Sequence, residues 1–325
     1  MAEAYFLGVD AGNSKTVALV AQADGQVLGW GRSGGGDIYV SETGAKAAVA
    51  DAVTQALEAA NLDVKDLTAA CLSLVGADWP EDFAVWQREA KARNYGRTSL
   101  IVNDALGALR AGTAEDGVAI VCGTGAAVGA RHLGTVWHSS FWQEPMGGFE
   151  LGERVLRAVY RAELGLAPST LLTGLVLEQS GAQSVEQVLH SMTARSAPTG
   201  KRVTGLSRLL LDVAALGDEV ALYEVERAAR VLGEYAWVGA CKVGLVEKPF
   251  PLVLCGGVLR HESTLLREAI ASHVKMRLPH ATCLQAPFEP VVGALLLALE
   301  LHTGPSGAEC SALAQSLPQA EFFAT

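Results

Sequence analysis

The sequence predicts an α/β protein built from two related domains. Half of its 325 residues are hydrophobic and only 18% are charged, which is typical of a chain with large buried cores. A pattern of strand, Gly-rich turn, strand, Gly-containing turn and strand begins near residue 5 and again near residue 117. A repeat at a distance of roughly 110 residues predicts a duplicated domain rather than an array of short repeats.

The first unit opens with three predicted strands and continues with alternating helices and strands. Short apolar runs between turn signals predict strands, and apolar residues at helical spacing predict helices. The predicted strands are Tyr5–Asp10, Thr16–Ala21, Gln26–Arg32, Leu67–Val75 and Ser99–Asn103. Helices are predicted over 43–60 and 81–93, and a short one starts at Asp104.

The second unit repeats the three-strand opening and then becomes helical. Its predicted strands are Gly117–Cys122, Ala126–His132, Thr135–Ser139 and, much later, Leu252–Cys255. Helices are predicted over about 152–164, 168–179 and 219–242. We expect residues 195–207, which are rich in Pro, Gly and Ser, to form a loop, and the tail from Gly304 to lack regular structure.

Charge and composition argue against several classes of partner. The formal net charge of −10 disfavours a nucleic-acid partner, because such binding depends on Lys and Arg against phosphate. No run approaches the ~20 apolar residues of a membrane span, so we expect no membrane partner. The six cysteines are scattered without metal-ligand spacing, which favours reduced thiols in a cytoplasmic protein.

Three Gly-rich turns, each after an apolar strand, predict a nucleotide site. Glycine lets the backbone approach phosphate oxygens closely, and Lys15 can add a positive charge. Asp10 ends the first strand and can hold Mg²⁺ through water. The candidate phosphate-binding residues are Gly12, Asn13, Ser14, Lys15, Thr16, Gly123, Thr124 and Gly125. The third turn, Gly256-Gly257, is the candidate adenosine site, and neither a P-loop nor a Rossmann GxGxxG pattern is present.

These turns resemble the phosphate and adenosine motifs of the actin/hexokinase/Hsp70 ATPase superfamily. Within it, the chain resembles the N-acetylglucosamine kinase and BadF/BadG/BcrA/BcrD ATPase family. The segments that carry the resemblance are GVDAGNSKT (8–16), LVGADWPED (74–82), VNDALGALRAGT (102–113), AIVCGTGA (119–126), LCGGV (254–258) and EPVVGALLLALE (289–300). They occur in the family's order and span nearly the whole chain.

The resemblance implies two actin-like (RNase H-like, βββαβαβα) domains with a nucleotide cleft between them. We expect one domain over 1–115 and the other over 116–325, with the 289–303 helix packing back on the first. The implied activity is transfer of the γ-phosphate of ATP, with Mg²⁺, to a hydroxyl of an amino sugar such as N-acetylglucosamine or glucosamine. Homodimers are common in the family, and a homodimer is therefore expected.

The resemblance also assigns the acceptor half of the site. It implies that Asp104 is the base that takes the proton of the sugar hydroxyl, although an Asp before a helix is also a favoured N-cap. The remaining acceptor-site candidates are Gly36, Asp37, Gly76, Asp78 and Glu150. Aromatic residues Trp137, Phe141 and Trp142 can form a stacking wall for a sugar or can simply pack.

The chain departs from the family pattern at two places near the acceptor. Ala126 stands where a serine usually completes the second phosphate turn, and Gly148 and Phe149 stand at two acidic positions of a later segment. These changes remove expected polar contacts to a sugar. Two alternatives therefore stay open, namely a BadF-type ATPase that activates a dehydratase and a kinase of a different small acceptor.

Overall fold

A computed structural model describes residues 3–142, 144, 146–195, 201–303 and 310–323. Within these residues the strands form two five-stranded sheets. The first sheet contains β1 (Tyr5–Ala11), β2 (Thr16–Gln22), β3 (Val27–Ser33), β4 (Leu67–Leu74) and β5 (Thr98–Asn103). The second contains β6 (Gly117–Cys122), β7 (Ala126–His132), β8 (Thr135–His138), β9 (Phe250–Cys255) and β10 (Ala281–Gln285).

The two sheets share one topology. In the first, the order is β3-β2-β1-β4-β5, and β1 pairs antiparallel with β2 and parallel with β4. In the second, β6 takes the place of β1, pairing antiparallel with β7 and parallel with β9. The duplicated α/β fold predicted from the sequence is therefore confirmed, and the structure shows in addition that the two units share their order of strands.

Helices connect the parallel strands, because parallel neighbours need a long crossover connection that is usually helical. The helices are α1 (Glu42–Ala60), α2 (Pro80–Ala92), α3 (Asp104–Gly112), α4 (Gly148–Glu163), α5 (Leu171–Ser180), α6 (Val185–Thr193), α7 (Lys201–Ala215), α8 (Glu219–Val243), α9 (Leu265–Arg277), α10 (Pro290–Thr303), α11 (Cys310–Ser316) and α12 (Ala320–Phe323). Each sheet with its helices thus follows the order βββαβαβα, with α4 to α8 together filling one crossover of the second unit.

Two expectations about irregular segments are wrong. The segment expected to be a loop contains the start of α7, because Val203, Leu206 and Leu210 recur at helical spacing and are buried. The tail contains α11 and α12, and it is held by buried Leu313 and Phe323 against the core of the first sheet. Residues 196–200 and 304–309 lie outside the described residues.

The helix α10 follows the second sheet in the chain but packs on the first. Its residues Val292 and Leu295 are completely buried, in one hydrophobic cluster with Phe6 of β1 and Leu19 of β2. On its other side α10 meets α3, where a side chain on Gly293 would overlap the backbone of α3. This close approach fixes α3, and with it the start of α3 at the cleft. The domain boundary at residues 115 and 116 falls between α3 and β6 and stays a prediction.

A buried ion pair also joins α3 to α10. The Arg110 Nε donates to Glu300 Oε1 at 2.5 Å, and only 4% of the Arg110 side chain is exposed. Removing water from two charges is costly, so such a pair demands good geometry and is sensitive to loss of one partner.

The C-terminal segment lies along β3 and reaches the first Gly-rich turn. The Val27 N–H donates to Ser316 Oγ at 2.8 Å, and Arg32 Nη1 donates to the Phe322 carbonyl oxygen at 2.8 Å. Lys15 Nζ donates to the carbonyl oxygen of Phe323, in the last turn of α12. Among the described helices, none combines the length and the apolar character that crossing a membrane requires.

Candidate functional site

The carboxyl ends of β1 and β6 face one cleft, because the two sheets carry their Gly-rich turns at equivalent positions. The cleft has a volume of about 280 Å³. Of the predicted site residues, it is lined by Asp10, Gly12, Asn13, Ser14, Lys15, Asp37, Gly76, Asp78, Asp104, Gly123, Thr124, Gly125, Gly256 and Gly257. Residues far apart in the sequence thus surround one space.

The first turn connects β1 to β2 and is closed by its own backbone. The Gly12 N–H donates to the Lys15 carbonyl at 2.9 Å, and the Gly36 N–H donates to the Gly12 carbonyl at 2.9 Å. Across the cleft, the hydroxyls of Ser14 and Thr124 share a hydrogen bond of 2.7 Å. The two candidate phosphate loops, Gly12–Thr16 and Gly123–Gly125, therefore face each other at contact distance, which is the arrangement that can surround a polyphosphate.

The second turn, between β6 and β7, is braced from behind by α4. The Gly148 N–H donates to the Gly123 carbonyl at 2.8 Å, and the Phe149 N–H donates to the Thr124 carbonyl at 3.0 Å. The first N–H groups of a helix have no partner within the helix. Here they donate to the second turn and hold it against the start of α4.

The third turn follows β9 and requires glycine. Gly256 has a φ of +104°, and a side chain there would overlap the backbone of Cys122 on the neighbouring β6. The Val258 N–H then donates to the Cys122 carbonyl at 3.0 Å. Gly257 has open space where a side chain would stand, so a flat group can approach the backbone there.

Asp104 is the first residue of α3, but it is not the cap of this helix. The N-cap is Asn103, whose side-chain oxygen accepts the Ala105 N–H at 3.1 Å. The Asp104 carboxyl lines the cleft instead. Burial raises its pKa to about 7, the charge of Asp78 adds to the rise, and the Ala105 N–H opposes it. A carboxyl with a pKa near neutrality is suited to accept and release a proton.

Asp10 lies at the end of β1 on the floor of the cleft. Its pKa is raised to about 7, mainly by burial and also by the negative charge of Asp104, whereas Lys15 opposes the rise. Two carboxyls that repel each other, beside loops suited to phosphate, form an oxygen donor set that a divalent cation would neutralise. Mg²⁺ commonly takes one or two carboxylates, with water and phosphate completing its shell. The residues present therefore fit Mg²⁺.

The opposite end of the cleft is built around Asp78. Its Oδ1 accepts hydrogen bonds from Asn103 Nδ2 and from Ser140 Oγ, both at 2.9 Å. Ser140 belongs to the second unit and has a φ of +42°, a region that non-glycine residues rarely occupy. Its hydroxyl also contacts His138 Nδ1. Strain of order 1 kcal/mol at such a position is typical of functional sites.

Aromatic rings from both units close this end of the cleft. Phe141 of the second unit stacks on Trp79 of the first, with ring centroids 6.5 Å apart and planes 12° apart. It also meets Tyr39 edge to face, at 5.1 Å. The Tyr39 hydroxyl in turn donates to Asp82 Oδ2 at 2.9 Å. Asp37 lies beside them and accepts the Tyr39 N–H at 2.8 Å.

Three predicted site residues do not line the cleft. Thr16 is completely buried in β2, and its hydroxyl has no hydrogen-bond partner among the described residues. Gly36 passes behind the first loop and supports it. Glu150 turns back to the start of α4, where its carboxylate accepts the Gly147 N–H at 3.0 Å. That capping role occupies one of its oxygens.

Several residues that line the cleft are not identified by the sequence. Asn103 and Glu289 lie inside segments that resemble the family, yet neither was singled out. Tyr39 and Ser140 stand in no recognisable motif, and only the fold brings them to Asp78. Phe141 was an open choice between stacking and packing, and 61% of it is exposed at the mouth of the cleft.

Comparison with known proteins finds relatives that span almost the whole chain. An N-acetyl-D-glucosamine kinase from Dictyostelium discoideum is 29% identical over 320 residues, which cover 92% of this chain and 99% of that protein. An N-acetylmuramic acid/N-acetylglucosamine kinase from Clostridium acetobutylicum is 24% identical, over 90% of this chain and 98% of that protein.

A solved structure agrees at the level of the fold. A protein from Chromobacterium violaceum, provisionally named an N-acetylglucosamine kinase, superposes with a TM-score of 0.69 at 23% identity, over 91% of this chain and 99% of that one. The sequence matches the BadF/BadG/BcrA/BcrD ATPase family over residues 7–298. This chain therefore belongs to the BadF/BadG/BcrA/BcrD ATPase family.

Proposed function

We propose that this protein is an ATP-dependent kinase that transfers the γ-phosphate to a hydroxyl of an amino sugar. One observation carries the proposal. The Asp104 carboxyl faces the same cleft as both phosphate loops, while its neighbour Asn103 caps α3. Relatives that span almost the whole chain bear the names of amino-sugar kinases, which supports this acceptor class.

The nucleotide half of the cleft binds ATP through backbone groups and one cation. The loops at Gly12–Thr16 and Gly123–Gly125 surround the phosphates, and Gly256 and Gly257 leave room for adenosine. Lys15 supplies positive charge. Asp10 would hold Mg²⁺, which would neutralise charge on the phosphates.

Asp104 acts on the acceptor hydroxyl as a general base. The hydroxyl oxygen forms a bond to the γ-phosphorus while the bond from that phosphorus to the bridging oxygen of ADP breaks. The hydroxyl proton passes to the Asp104 carboxylate, and ADP leaves. Asp37 and Asp78 accept hydrogen bonds from other hydroxyls of the sugar, which fixes the attacking oxygen. Positioning and charge stabilisation supply most of the acceleration in such transfers.

The remaining parts of the proposal concern setting and assembly. A cytoplasmic location is supported by scattered cysteines, five of which are free thiols in the described residues. A homodimer is inferred from the family resemblance. The net charge of −10 supports a small-molecule substrate without a nucleic-acid partner.

The test is ADP release from Mg-ATP with a panel of amino sugars, hexoses and pantothenate, comparing wild type with Asp104→Asn. We expect turnover that depends on an amino sugar and falls by about 10²–10⁴-fold in the variant. The melting temperature should not fall, because Asn103 provides the cap. Asp51→Asn, exposed on α1, is the matched control and should keep full activity.

Other results would point elsewhere. Turnover without any acceptor would favour an ATPase of the dehydratase-activator type. Turnover that survives Asp104→Asn would remove this residue as the base. Turnover with pantothenate alone would make the protein a kinase of a different small molecule.

A further inference from the structure

A second cavity adjoins the acceptor end of the cleft. It is an open groove of about 200 Å³. Trp79, Trp137 and Trp142 contribute its aromatic surface, and Val136 adds an apolar side chain. Asp78 and Ser140 line both the groove and the cleft, so a single hydrogen-bonded pair separates the two spaces.

The aromatic rings of the groove are exposed but held on fixed backbone. The Trp142 side chain is 72% exposed, whereas its N–H donates to the Ser139 carbonyl at 2.7 Å and its carbonyl accepts from the Tyr235 hydroxyl at 2.7 Å. Trp79 is 42% exposed, and its N–H donates to Asp82 Oδ2 at 2.8 Å. Rings presented in this way lose little conformational entropy when they contact a ligand.

The third ring forms the inner wall of the groove. Trp137 is half-buried and lies on Gly239 of α8, where a side chain would come within 3.2 Å of the ring. Three tryptophans line this one small groove. An exposed aromatic surface of this kind tends to mark a binding site. Sugar rings and aryl groups both offer the flat apolar face that stacks on indole.

The charges around the groove favour a neutral occupant. The described residues that line it include no Lys or Arg, and Asp78 contributes a carboxyl. His138 also lines it, and burial lowers the pKa of this imidazole, so it adds no positive charge at neutral pH. An anionic substituent would meet the Asp78 carboxyl without a compensating cation.

The order of groups along the cleft sets the direction of the acceptor. The phosphate loops are followed by Asp104, then by Asp78, then by the groove. A sugar with one hydroxyl at Asp104 has Asp78 as its next carboxyl neighbour, because the charge of Asp78 acts on Asp104 and Asp78 also lines the groove. A group attached at that end reaches the groove by replacing the Ser140–Asp78 hydrogen bond.

We propose that this groove is a subsite for a neutral ring glycosidically linked to the acceptor amino sugar. The ring is a second sugar unit or an aryl group, and both share the flat apolar face that the groove offers. This inference rests on the proposed kinase function for its location. It extends that function by assigning acceptors larger than a monosaccharide to the enzyme.

The test compares kcat/KM for an amino sugar, its β-linked disaccharide and its phenyl β-glycoside, with N-acetylmuramic acid as the anionic arm. We expect at least one of the two neutral glycosides to exceed the monosaccharide by about fivefold or more. Trp142→Ala should abolish this preference and Trp142→Phe should retain part of it. Tyr223→Ala removes an exposed aromatic ring on α8, outside both cavities, and should leave the preference unchanged.

Two kinds of failure can be told apart. If the monosaccharide turns over but neither glycoside is preferred, the subsite is refuted and the kinase function stands. If no substrate turns over, quenching of tryptophan fluorescence by the phenyl glycoside decides whether the subsite exists. Quenching in the wild type that is lost in Trp142→Ala supports the subsite, and a lack of quenching in the wild type refutes it.

A change from dimer to monomer in Trp142→Ala, without a change in substrate preference, would assign the groove to a second copy of the chain and overturn the proposal.

Discussion

At the scale of single residues, the site depends on the different roles of Asn103 and Asp104. Either residue could cap α3, and the sequence alone left that role open for the aspartate. The structure gives the cap to Asn103, which also donates to Asp78 Oδ1 at 2.9 Å. The Asp104 carboxyl therefore lines the cleft. It is buried there near other carboxyls, and both conditions affect how its activity depends on pH.

We predict that activity falls on the acid side of neutrality. The pKa of Asp104 is raised to about 7, mainly by burial, and a base must be deprotonated to accept a proton. Well below pH 7, kcat/KM for the sugar should therefore drop about tenfold for each pH unit. The measurement is a pH–rate profile from 5.5 to 8.5 at saturating Mg-ATP. A flat profile over this range would contradict the role of Asp104.

The contribution of Asp104 to the free energy of unfolding should have the opposite dependence on pH. The folded-state pKa of Asp104 lies above its ordinary value, so protonation favours the folded state. The contribution is complete below the ordinary pKa of about 4 and is lost as the pH rises through about 7. Asp104→Asn should therefore unfold at a temperature no lower than wild type at pH 8. A clear fall in melting temperature at that pH would mean that the carboxylate itself stabilises the fold.

Residues in recognisable turns were predictable, whereas those brought in by the fold were not. Gly12 and Thr124 follow apolar strands, and strand ends meet at one edge of a sheet. Glu150 was expected in the acceptor site, but α4 begins at Gly148, so its third residue falls on the capping position. Ser140 had no signal, because its importance comes from a backbone conformation that the sequence does not reveal.

At the scale of elements, α10 is the part that joins the end of the chain to the first sheet. Apolar side chains cover almost all of its circumference, which is the pattern of a helix buried on every side. Its last residues, from Glu300, are partly exposed or exposed, and Glu300 meets Arg110 of α3. The same pair fixes the helix whose first residue is Asp104.

We predict that Glu300→Ala destabilises the protein by about 3 kcal/mol, because Arg110 stays buried without its carboxylate. Thermal unfolding at neutral pH, away from ligands, measures the change. The control is Glu178→Ala, exposed on α5, which should alter stability by less than about 0.5 kcal/mol. Equal effects from the two substitutions would show that the ion pair contributes nothing.

Long periodic elements were predictable and short or interrupted ones were less so. The spacing of apolar residues identified α1 and α8, where tertiary packing and local pattern agree. The sequence predicts a loop at the start of α7, because Pro, Gly and Ser are frequent there. The apolar residues Val203 and Leu206, which are buried in the structure, are too few to give a clear helical pattern. α12 has only four residues, and its place depends on packing against β3 rather than on its own propensity.

At the scale of the whole molecule, hydrogen bonds bridge the cleft at both ends. Ser14 meets Thr124 at the phosphate loops, and Ser140 meets Asp78 at the acceptor end. Each pair takes one residue from each unit. Ligands that enter the cleft must therefore compete with, or replace, contacts between the two units, which couples binding to their relative position.

We predict that Thr124→Val raises the KM for ATP by about fivefold, because the hydroxyl that faces Ser14 is lost while the volume is kept. The KM for the sugar should change less, since Asp78 and Asp104 are untouched. Initial rates over a range of ATP concentrations measure the effect. Ser272→Ala, exposed on α9, is a control that should leave both constants unchanged. An unchanged KM for ATP in Thr124→Val would exclude a contact of this hydroxyl with the nucleotide.

The contact between α12 and Lys15 has a practical consequence for anyone who purifies the protein. The last described turn of the chain lies beside the lysine of the first phosphate loop. A tag fused after Thr325 would begin three residues beyond Phe323, and we expect it to disturb this contact. An affinity tag placed before Met1 avoids this, and kinetic constants from the two fusions would differ chiefly in the KM for ATP.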